Sequence, residues 1–333
     1  MTRVVTRRLA AALAATFALS CATALPFSPA AAQGAPKTEV KLAVLAPSAL
    51  LWLHAIAVEK GFYDKRNITV RELRASDSPA LLQAVASGSA DAGISLGDLA
   101  VRAIDKGAPV IIAGAVLDKT ILRLYGAKGT ASVKDLAGKP LTAGAVKGGT
   151  ANLLKFQLKQ AGVDPAGAQM VSIANSRDRI IAMGNGQVAG ALLIAPFDTL
   201  AGRDGAVLLD VYREPYVQTP LVLNKSWGEA PATRPAAIAL TQALKEAAAF
   251  IDDPANKDAA IDVLAAYTKT PRDVVEDSYA FIVKEQKAIP ADLAVKAAGL
   301  ENLYKIDTAV GGDPQTQAFD LKRYYDPSYI AGK

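Results

Sequence analysis

The stretch SPALLQAVASGSADAGISLGDLA, residues 78–100, decides the fold that we predict for this chain. Its first nine residues carry apolar side chains at the spacing of one helical face, and Gly88 stands where such a helix would end. The short run of small and apolar residues at 90–95 is typical of a buried parallel strand. The stretch therefore predicts a helix, a glycine turn, a buried strand and then a polar loop.

Nearly the same pattern returns later in the chain. Residues 178–185 form a helical pattern, Gly186 ends it, residues 188–195 form a second buried-strand pattern, and a loop follows at 196–198. The order β-α-β-α-β leads up to each copy. Strands that alternate with helices at this pitch predict a parallel sheet covered on both faces. Two copies of the unit predict an α/β protein with two similar lobes and a cleft between them.

Composition limits the classes of function. The chain has 333 residues, of which 51% are apolar and 21% charged, so it is globular and long enough for about two domains. Aromatic residues make up only 6% of the chain, which argues against a surface that stacks nucleic-acid bases. The net charge of +5 includes the basic N-terminus and leaves no basic patch elsewhere. We therefore predict no nucleic-acid partner.

Reactive residues are scarce. Cys21 is the single cysteine and His54 the single histidine, so disulfides, thiolate metal sites and histidine-rich metal sites are excluded. No spaced pair of carboxylates stands out. His54 falls on a predicted helix and is interpreted as a packed residue. We therefore predict no cofactor, no metal, no catalytic residue and no enzymatic activity.

The N-terminus has the pattern of an export signal. Residues 1–8 are basic, residues 9–25 are small and apolar, and three alanines precede Gln33, which predicts a signal peptide over 1–32 with cleavage after Ala32. Resemblance to a twin-arginine signal and lipidation of Cys21 both stay open. No later apolar run is long enough to cross a bilayer. The mature protein is predicted to be soluble and periplasmic.

The rest of the chain defines the expected domains. From Arg234 to about Tyr304 the pattern is helical, and this tail is expected to pack mainly on the first lobe. Segments 118–120 and 214–219 are expected to cross between the lobes and form a hinge. The predicted divisions are a signal peptide at 1–32, a discontinuous first lobe at 38–118 and 216–333, and a second lobe at 119–215.

Loops at the carboxyl ends of strands are where open α/β sheets bind ligands. The sharpest of them is Lys147–Thr150, whose glycines and helix start favour an anion, although an ordinary capped turn fits the same pattern. Trp52 is either a wall of the cleft or a core residue. The matched residues Asp98 and Asp198 are interpreted first as helix caps. The predicted ligand-binding residues are Ser48, Trp52, Ser95, Leu96, Asp98, Gly149, Thr150, Asn175, Pro196 and Phe197.

Several segments together resemble one family. AVEKGFYDKRNITV at 57–70 resembles a segment of the nitrate/sulfonate/taurine-type solute-binding proteins of ABC importers, also called NMT1/THI5-like. The segments ASGSADAG at 86–93, DLAGKP at 135–140, GGT at 148–150 and the later GQV with Pro196 are similar to further family motifs, in the same order. The likeness covers roughly residues 38–225, and the series is more specific than any one motif.

The resemblance implies a periplasmic binding protein of type II, with two α/β lobes joined by a two-strand hinge and a ligand cleft between them. It also implies a monomer that delivers a small anionic solute, such as a sulfonate, nitrate or organic carboxylate, to an ABC permease in the inner membrane. The sequence departs from the family pattern in three places. Asn67 stands where the family often has glycine, and Ala189 replaces an aspartate. Ala151 and Asn152 follow the GGT motif where sulfonate binders often carry Ser-His or similar.

Two alternatives stay open at this stage. One is a periplasmic sensor that uses the same fold to pass a signal to a membrane receptor. The other is an enzyme similar to a pyrimidine-precursor synthase of the same superfamily, which consumes its own histidine and needs a cysteine cluster. The absence of cysteine from the body of the chain and the helical position of His54 disfavour the enzyme.

Overall fold

The structure is a computed structural model that describes residues 37–310 and 318–333. The predicted signal peptide, with Cys21 and the proposed cleavage after Ala32, lies outside the described residues. None of the helices in the described part of the chain combines the length and the apolar character needed to span a bilayer.

Strands and helices alternate through the first two thirds of the chain. The strands are β1 (Thr38–Val44), β2 (Ile68–Arg74), β3 (Ala92–Ile94), β4 (Val110–Leu117), β5 (Leu122–Gly126), β6 (Pro140–Thr142), β7 (Gln169–Val171), β8 (Gly190–Ile194), β9 (Val207–Val211) and β10 (Thr219–Asn224). The helices that alternate with them are α1 (Trp52–Glu59), α2 (Ser78–Ala86), α3 (Gly97–Asp105), α4 (Gly149–Gln160), α5 (Ser176–Gly184) and α6 (Phe197–Arg203). The remaining helices are α7 (Lys225–Glu229), α8 (Arg234–Asp252), α9 (Lys257–Thr268), α10 (Arg272–Tyr279), α11 (Ala297–Ala309), α12 (Leu321–Tyr324) and α13 (Ser328–Ala331).

The two predicted helix–glycine–strand units are present. Gly88 follows α2 with φ +77°, and Gly186 follows α5 with φ +70°. A residue with a Cβ is strained at such angles, so glycine at these two positions lets each helix turn directly back into a buried strand. Local sequence therefore determines the two halves of the molecule in the same way.

The strands form two five-stranded sheets, each of which is the centre of one lobe. The first sheet has the order β2-β1-β3-β10-β4 and the second the order β7-β6-β8-β5-β9. In both, four strands run in one direction, and the fourth strand in the order runs antiparallel to its two neighbours. The predicted parallel pairing is present among β2, β1 and β3 and among β7, β6 and β8, but the prediction does not include the antiparallel strands β10 and β5. The antiparallel strands, β5 and β10, are the ones that follow each passage of the chain between the sheets.

The two passages lie side by side. The chain leaves the first sheet after Leu117 and returns to it at Thr219, and the Tyr216 amide donates to the Asp118 carbonyl at 3.1 Å. The buried Gln286 side chain donates to the carbonyls of Thr120 and Tyr212, one on each passage, at 3.1 Å in both cases. These bonds hold the two connections together at the junction of the lobes.

The C-terminal helices cover more than the first lobe. Helices α8 and α9 pack on α1, and α13 packs on α8 and β4, as expected. However, α11 contacts both α3 and α4, and α10 contacts α6, so the tail also reaches the second lobe. The helical pattern predicted as far as about Tyr304 is interrupted before α11, which begins only at Ala297, because Asp292 accepts from the Ala294 amide in a tight turn and Leu293 has φ +57°.

Candidate ligand-binding site

A cavity of about 460 Å³ lies between the two lobes. The first lobe lines it with the segments that follow β1 and β2 and with the end of α9. The second lobe lines it with the segments that follow β6, β7 and β8. The parallel strands of both sheets thus end at the cavity, which is where α/β sheets place ligands.

Arg179 is the principal charged group of the cavity. It projects from α5, is only 3% exposed, and donates from Nε to the Ile173 carbonyl at 2.9 Å. Its two terminal nitrogens donate to the carbonyls of Leu192 and Ala174, each at 2.7 Å. Within residues 37–310 and 318–333 no carboxylate forms an ion pair with it. Burial without such a partner lowers the pKa of Arg179 to about 10, so the guanidinium still carries its charge at neutral pH.

The donor count of Arg179 leaves room for a ligand. A guanidinium has five N–H groups, and the three carbonyls use one on Nε and one on each terminal nitrogen. One N–H therefore remains on each terminal nitrogen. Two such donors suit a carboxylate or another oxyanion with two oxygens, and a buried charge without a counter-ion is costly. The arrangement favours an anion at this end of the cavity.

Two helices begin at the cavity beside Arg179. Helix α4 starts with Gly149 and Thr150, and the Thr150 hydroxyl donates to the Ala143 carbonyl. Helix α5 is capped by Asn175, whose side chain accepts from the Asp178 amide at 3.0 Å. The positive ends of both helix dipoles therefore add to the favourable potential for an anion.

Ser48 supplies a polar group from the opposite lobe. It is 6% exposed, lines the cavity, and its hydroxyl does not cap the turn that follows it. The next amide, that of Ala49, donates to the carbonyl of Ala195 on the second lobe at 3.0 Å. Ser48 thus lies where the two lobes touch, beside the end of β8.

The cavity brings together half of the predicted ligand-binding residues. Its lining includes Ser48, Leu96, Thr150, Asn175 and Phe197. The lining does not include Trp52, Ser95, Asp98, Gly149 and Pro196. Ligand contact by the first five stays a prediction, and the surroundings of the other five explain why they lie elsewhere.

Trp52 belongs to the core. It is 1% exposed, its indole N–H donates to the Ala260 carbonyl at 2.8 Å, and its ring meets Tyr279 edge-on with 6.2 Å between centroids. From the sequence, Trp52 is interpreted as either a wall of the cleft or a core residue. The structure fits the second interpretation, because α8 and α9 cover the helix that carries Trp52.

We expect Trp52→Phe to destabilise the protein by about 2 kcal/mol, because the Ala260 carbonyl loses its donor and a small cavity opens. Affinity for the bound anion should change less than twofold. Urea unfolding and calorimetry measure the two effects, and Trp227→Phe, at a half-buried tryptophan, is the control. A loss of affinity without loss of stability would contradict this interpretation and indicate that Trp52 contacts the ligand.

The remaining predicted residues lie at the seam between the lobes. The Asp98 carboxylate packs against Gly149 and pairs with Arg102 at 2.8 Å. Burial raises the pKa of Asp98, while Arg102 opposes that shift. The Ser95 hydroxyl is buried and finds no partner among the described residues, and Pro196 follows a cis peptide bond. Neither Asp98 nor Asp198 is the N-cap of its helix.

Asp198, the counterpart of Asp98, is fully buried and pairs with Arg123 at 2.5 Å. Burial raises its pKa, and the charge and hydrogen bond of Arg123 lower it. The two matched aspartates therefore form buried ion pairs in their own lobes instead of facing the cavity.

Among the cavity residues that sequence reasoning missed, Arg179 and Tyr267 bear most on ligand binding. A signal for Arg179 exists, because it shares a helical face with Ser176, Ala182 and Met183, all of which are buried. A charged residue in register with buried ones is an informative exception to the usual pattern. Tyr267 reaches the cavity from the last turn of α9, and no local pattern indicates that.

A hydrogen-bonded cluster lies behind Tyr267. Its hydroxyl donates to Glu72 at 3.2 Å, and the same carboxylate oxygen lies 3.0 Å from Nε2 of His54. Arg74 donates to the other oxygen of Glu72 at 2.7 Å, and the Tyr63 hydroxyl lies 2.9 Å from Nδ1 of His54. The single histidine is therefore fully buried and engaged, as its interpretation as a packed residue implies.

Glu72 predicts a pH-dependent contribution to stability. The hydrogen bond from His54 lowers the pKa of Glu72 below the ordinary value for a glutamate. The ionised carboxylate therefore stabilises the fold at pH values above that ordinary pKa. This stabilisation is lost as the pH falls through the lower pKa of the folded state. We expect Glu72→Gln to cost about 1 kcal/mol at pH 7, after allowance for partial exposure, and less at pH 3.5. Urea unfolding at both pH values measures this. Glu229→Gln, at an exposed pair, is the control, and an equal cost at both pH values would contradict the assignment.

Two lobes built on mixed five-stranded sheets, joined by two connections and enclosing a cavity, are the architecture of the periplasmic binding protein fold. The chain belongs to the NMT1/THI5-like family, which its sequence matches over residues 54–227. The resemblance stated from the sequence motifs is therefore confirmed. No curated protein matches the chain.

Solved structures share this fold at low sequence identity. A ligand-binding component of an ABC-type import system from Staphylococcus aureus, with zinc bound, has a TM-score of 0.73 at 17% identity and covers 89% of this chain and 98% of its own. The alkanesulfonate-binding protein SsuA from Xanthomonas axonopodis pv. citri, bound to MOPS, gives 0.61 at 19% identity over 74% and 84%. The periplasmic nitrate-binding protein NrtA from Synechocystis PCC 6803 gives 0.64 at 15% identity over 73% and 70%.

Proposed function

We propose that the protein is the substrate-binding component of an ABC importer and that it binds a small anion between its lobes. The observation that carries this proposal is Arg179, a buried guanidinium that faces the cavity without a carboxylate partner among the described residues. A bound anion would supply the missing counter-charge, and closure of the lobes would shield the pair from water. The N-termini of α4 and α5 and the hydroxyl of Ser48 also line the cavity and support the binding of an anion there.

Transport follows from the combination of this site with the rest of the chain. The N-terminal pattern of an export signal supports a periplasmic location, and the shared fold with import-system components supports a permease partner in the inner membrane. In this scheme the ligand shifts the protein towards its closed form, which the permease recognises. The ligand leaves unchanged.

Calorimetry on the purified protein tests the proposal, with nitrate, alkanesulfonates, alkyl carboxylates and aromatic carboxylates in parallel. Ligand at a hundred times its Kd stabilises the folded form by about 2.7 kcal/mol, so a thermal-shift screen can precede the titrations. X-ray scattering should show a smaller radius of gyration with the ligand bound. Mass spectrometry should recover that ligand intact. The proposal fails if no anion binds or if the protein converts the compound it binds.

A further inference from the structure

The size of the cavity restricts the ligand. Its volume of about 460 Å³ lies in the range of pockets that hold drug-sized organic molecules, about 300–1,000 Å³. One water molecule takes up about 30 Å³ in the liquid, and an inorganic oxyanion is only a few times larger. Such an ion at Arg179 would leave most of the space unfilled. The cavity therefore fits an organic molecule whose body extends well beyond its charged group.

Most of the surface that lines the cavity is apolar. Leu45, Leu50 and Leu96 come from the first lobe, and Ile194 comes from the second. Each lobe also supplies one aromatic side chain, Phe197 at the start of α6 and Tyr267 in the last turn of α9. In a chain with only 6% aromatic residues, two rings from opposite lobes in one cavity form a specific feature.

Both rings are held in place by neighbouring side chains of the protein. The Tyr267 hydroxyl is bonded to Glu72, which His54 and Arg74 hold in turn. The guanidinium of Arg177 lies over the ring of Phe197, with 5.0 Å to its centroid. Rings fixed before the ligand arrives lose little entropy on binding and favour a flat partner.

The acidic side chains of the cavity are already engaged. Asp77 accepts from the Ala80 amide at 2.8 Å as the cap of α2, and Asp178 accepts from the Asn175 amide group at 2.7 Å. Neither is placed to receive a cationic group of a ligand without giving up that bond. Arg179 offers its two remaining donors to one anionic group. With Arg177 and Lys269 as further cations of the lining, the charge pattern suits an anionic ligand that carries no cationic group.

We propose that the ligand is an aromatic organic anion whose one headgroup, a carboxylate or a sulfonate, binds Arg179 while its ring system lies between Phe197 and Tyr267. This inference rests on the proposed function, because it requires that an anion occupies the Arg179 end of the cavity. It adds the chemical class of the body of the ligand. Glu72 and His54 then act as positioning residues for the Tyr267 ring.

The test compares 2-naphthoate with decahydro-2-naphthoate by calorimetry, because the two share a headgroup and a carbon skeleton but only one is aromatic. We expect 2-naphthoate to bind the wild-type protein about tenfold more tightly. The ratio should fall towards one in Phe197→Leu and in Tyr267→Leu. It should fall less in Tyr267→Phe, which keeps the ring and removes only the hydroxyl that Glu72 holds. 2-Naphthalenesulfonate identifies the preferred headgroup.

Equal binding of the two carboxylates by the wild-type protein would overturn the aromatic ligand, as would tighter binding of nitrate or of an alkanesulfonate than of 2-naphthoate. Either result, with binding that depends on Arg179, leaves the proposed function in place. If none of these anions binds, the proposed function fails as well. The two failures are therefore distinguishable in one set of titrations.

Discussion

Replacement of Arg179 by methionine is expected to lower the affinity for the bound anion about a hundredfold, which corresponds to about 2.7 kcal/mol. The guanidinium is 3% exposed, so its two remaining N–H groups act on the ligand where water screens them little. Loss of one member of a buried charged pair costs about 2–5 kcal/mol. Arg179→Lys keeps the charge but not the planar fork, and we expect it to lose about tenfold.

The same substitution also tests whether Arg179 has only a structural role. It removes the donors from the carbonyls of Ile173, Ala174 and Leu192, which lowers stability, but it also removes a buried charge, which raises it. Titration calorimetry and urea unfolding on the same variant separate affinity from stability. Arg71→Met removes an equal charge from an exposed strand and is the control. Lower stability with wild-type affinity would make Arg179 a structural residue and would contradict the proposed function.

Short-range signals account for the parts of the fold that the sequence predicts. The helix–glycine–strand units depend on apolar spacing and on Gly88 and Gly186, all within a few residues of each other. The parallel order of the first three strands in each sheet follows from the alternation of strands and helices. These features need no knowledge of distant contacts.

The errors concern contacts between residues far apart in sequence. β10 inserts between β3 and β4, and β5 inserts between β8 and β9, so each antiparallel strand pairs with partners that the local pattern does not identify. Helix α11 starts late because a turn at Asp292 and Leu293 fits beside β4, where the Leu293 carbonyl accepts from the Ala115 amide. Tertiary contacts decide such boundaries.

The candidate site shows the same division. Loops at strand ends were predicted correctly as the place of the cavity, but individual side chains in them point in directions that the sequence does not determine. Asp98 and Gly149 lie in the first turns of α3 and α4, directly after two such loops, and meet each other across the seam instead of facing a ligand.

We expect Gly149→Ala to weaken ligand binding about tenfold by obstructing closure. A Cβ on Gly149 would lie 1.8 Å from Cγ of Asp98, far inside van der Waals contact. Asp98 cannot move freely, because Arg102 pairs with it and also donates to the Lys147 carbonyl on the second lobe at 3.1 Å. Overpacking of this kind costs about 1–3 kcal/mol, and here the cost falls on the closed form.

Calorimetry measures the affinity, and X-ray scattering with and without ligand measures whether the Gly149→Ala protein still contracts. The double variant Asp98→Ala/Gly149→Ala removes the obstructing carboxylate and should recover most of the lost affinity, while Asp98→Ala alone reports the cost of unpairing Arg102. Gly167→Ala is the matched control, because a Cβ there meets no atom within 4 Å. Wild-type affinity and contraction in Gly149→Ala would show that the Asp98–Gly149 contact is not part of the ligand-bound form. The two lobes would then have to meet through other residues when the ligand is bound.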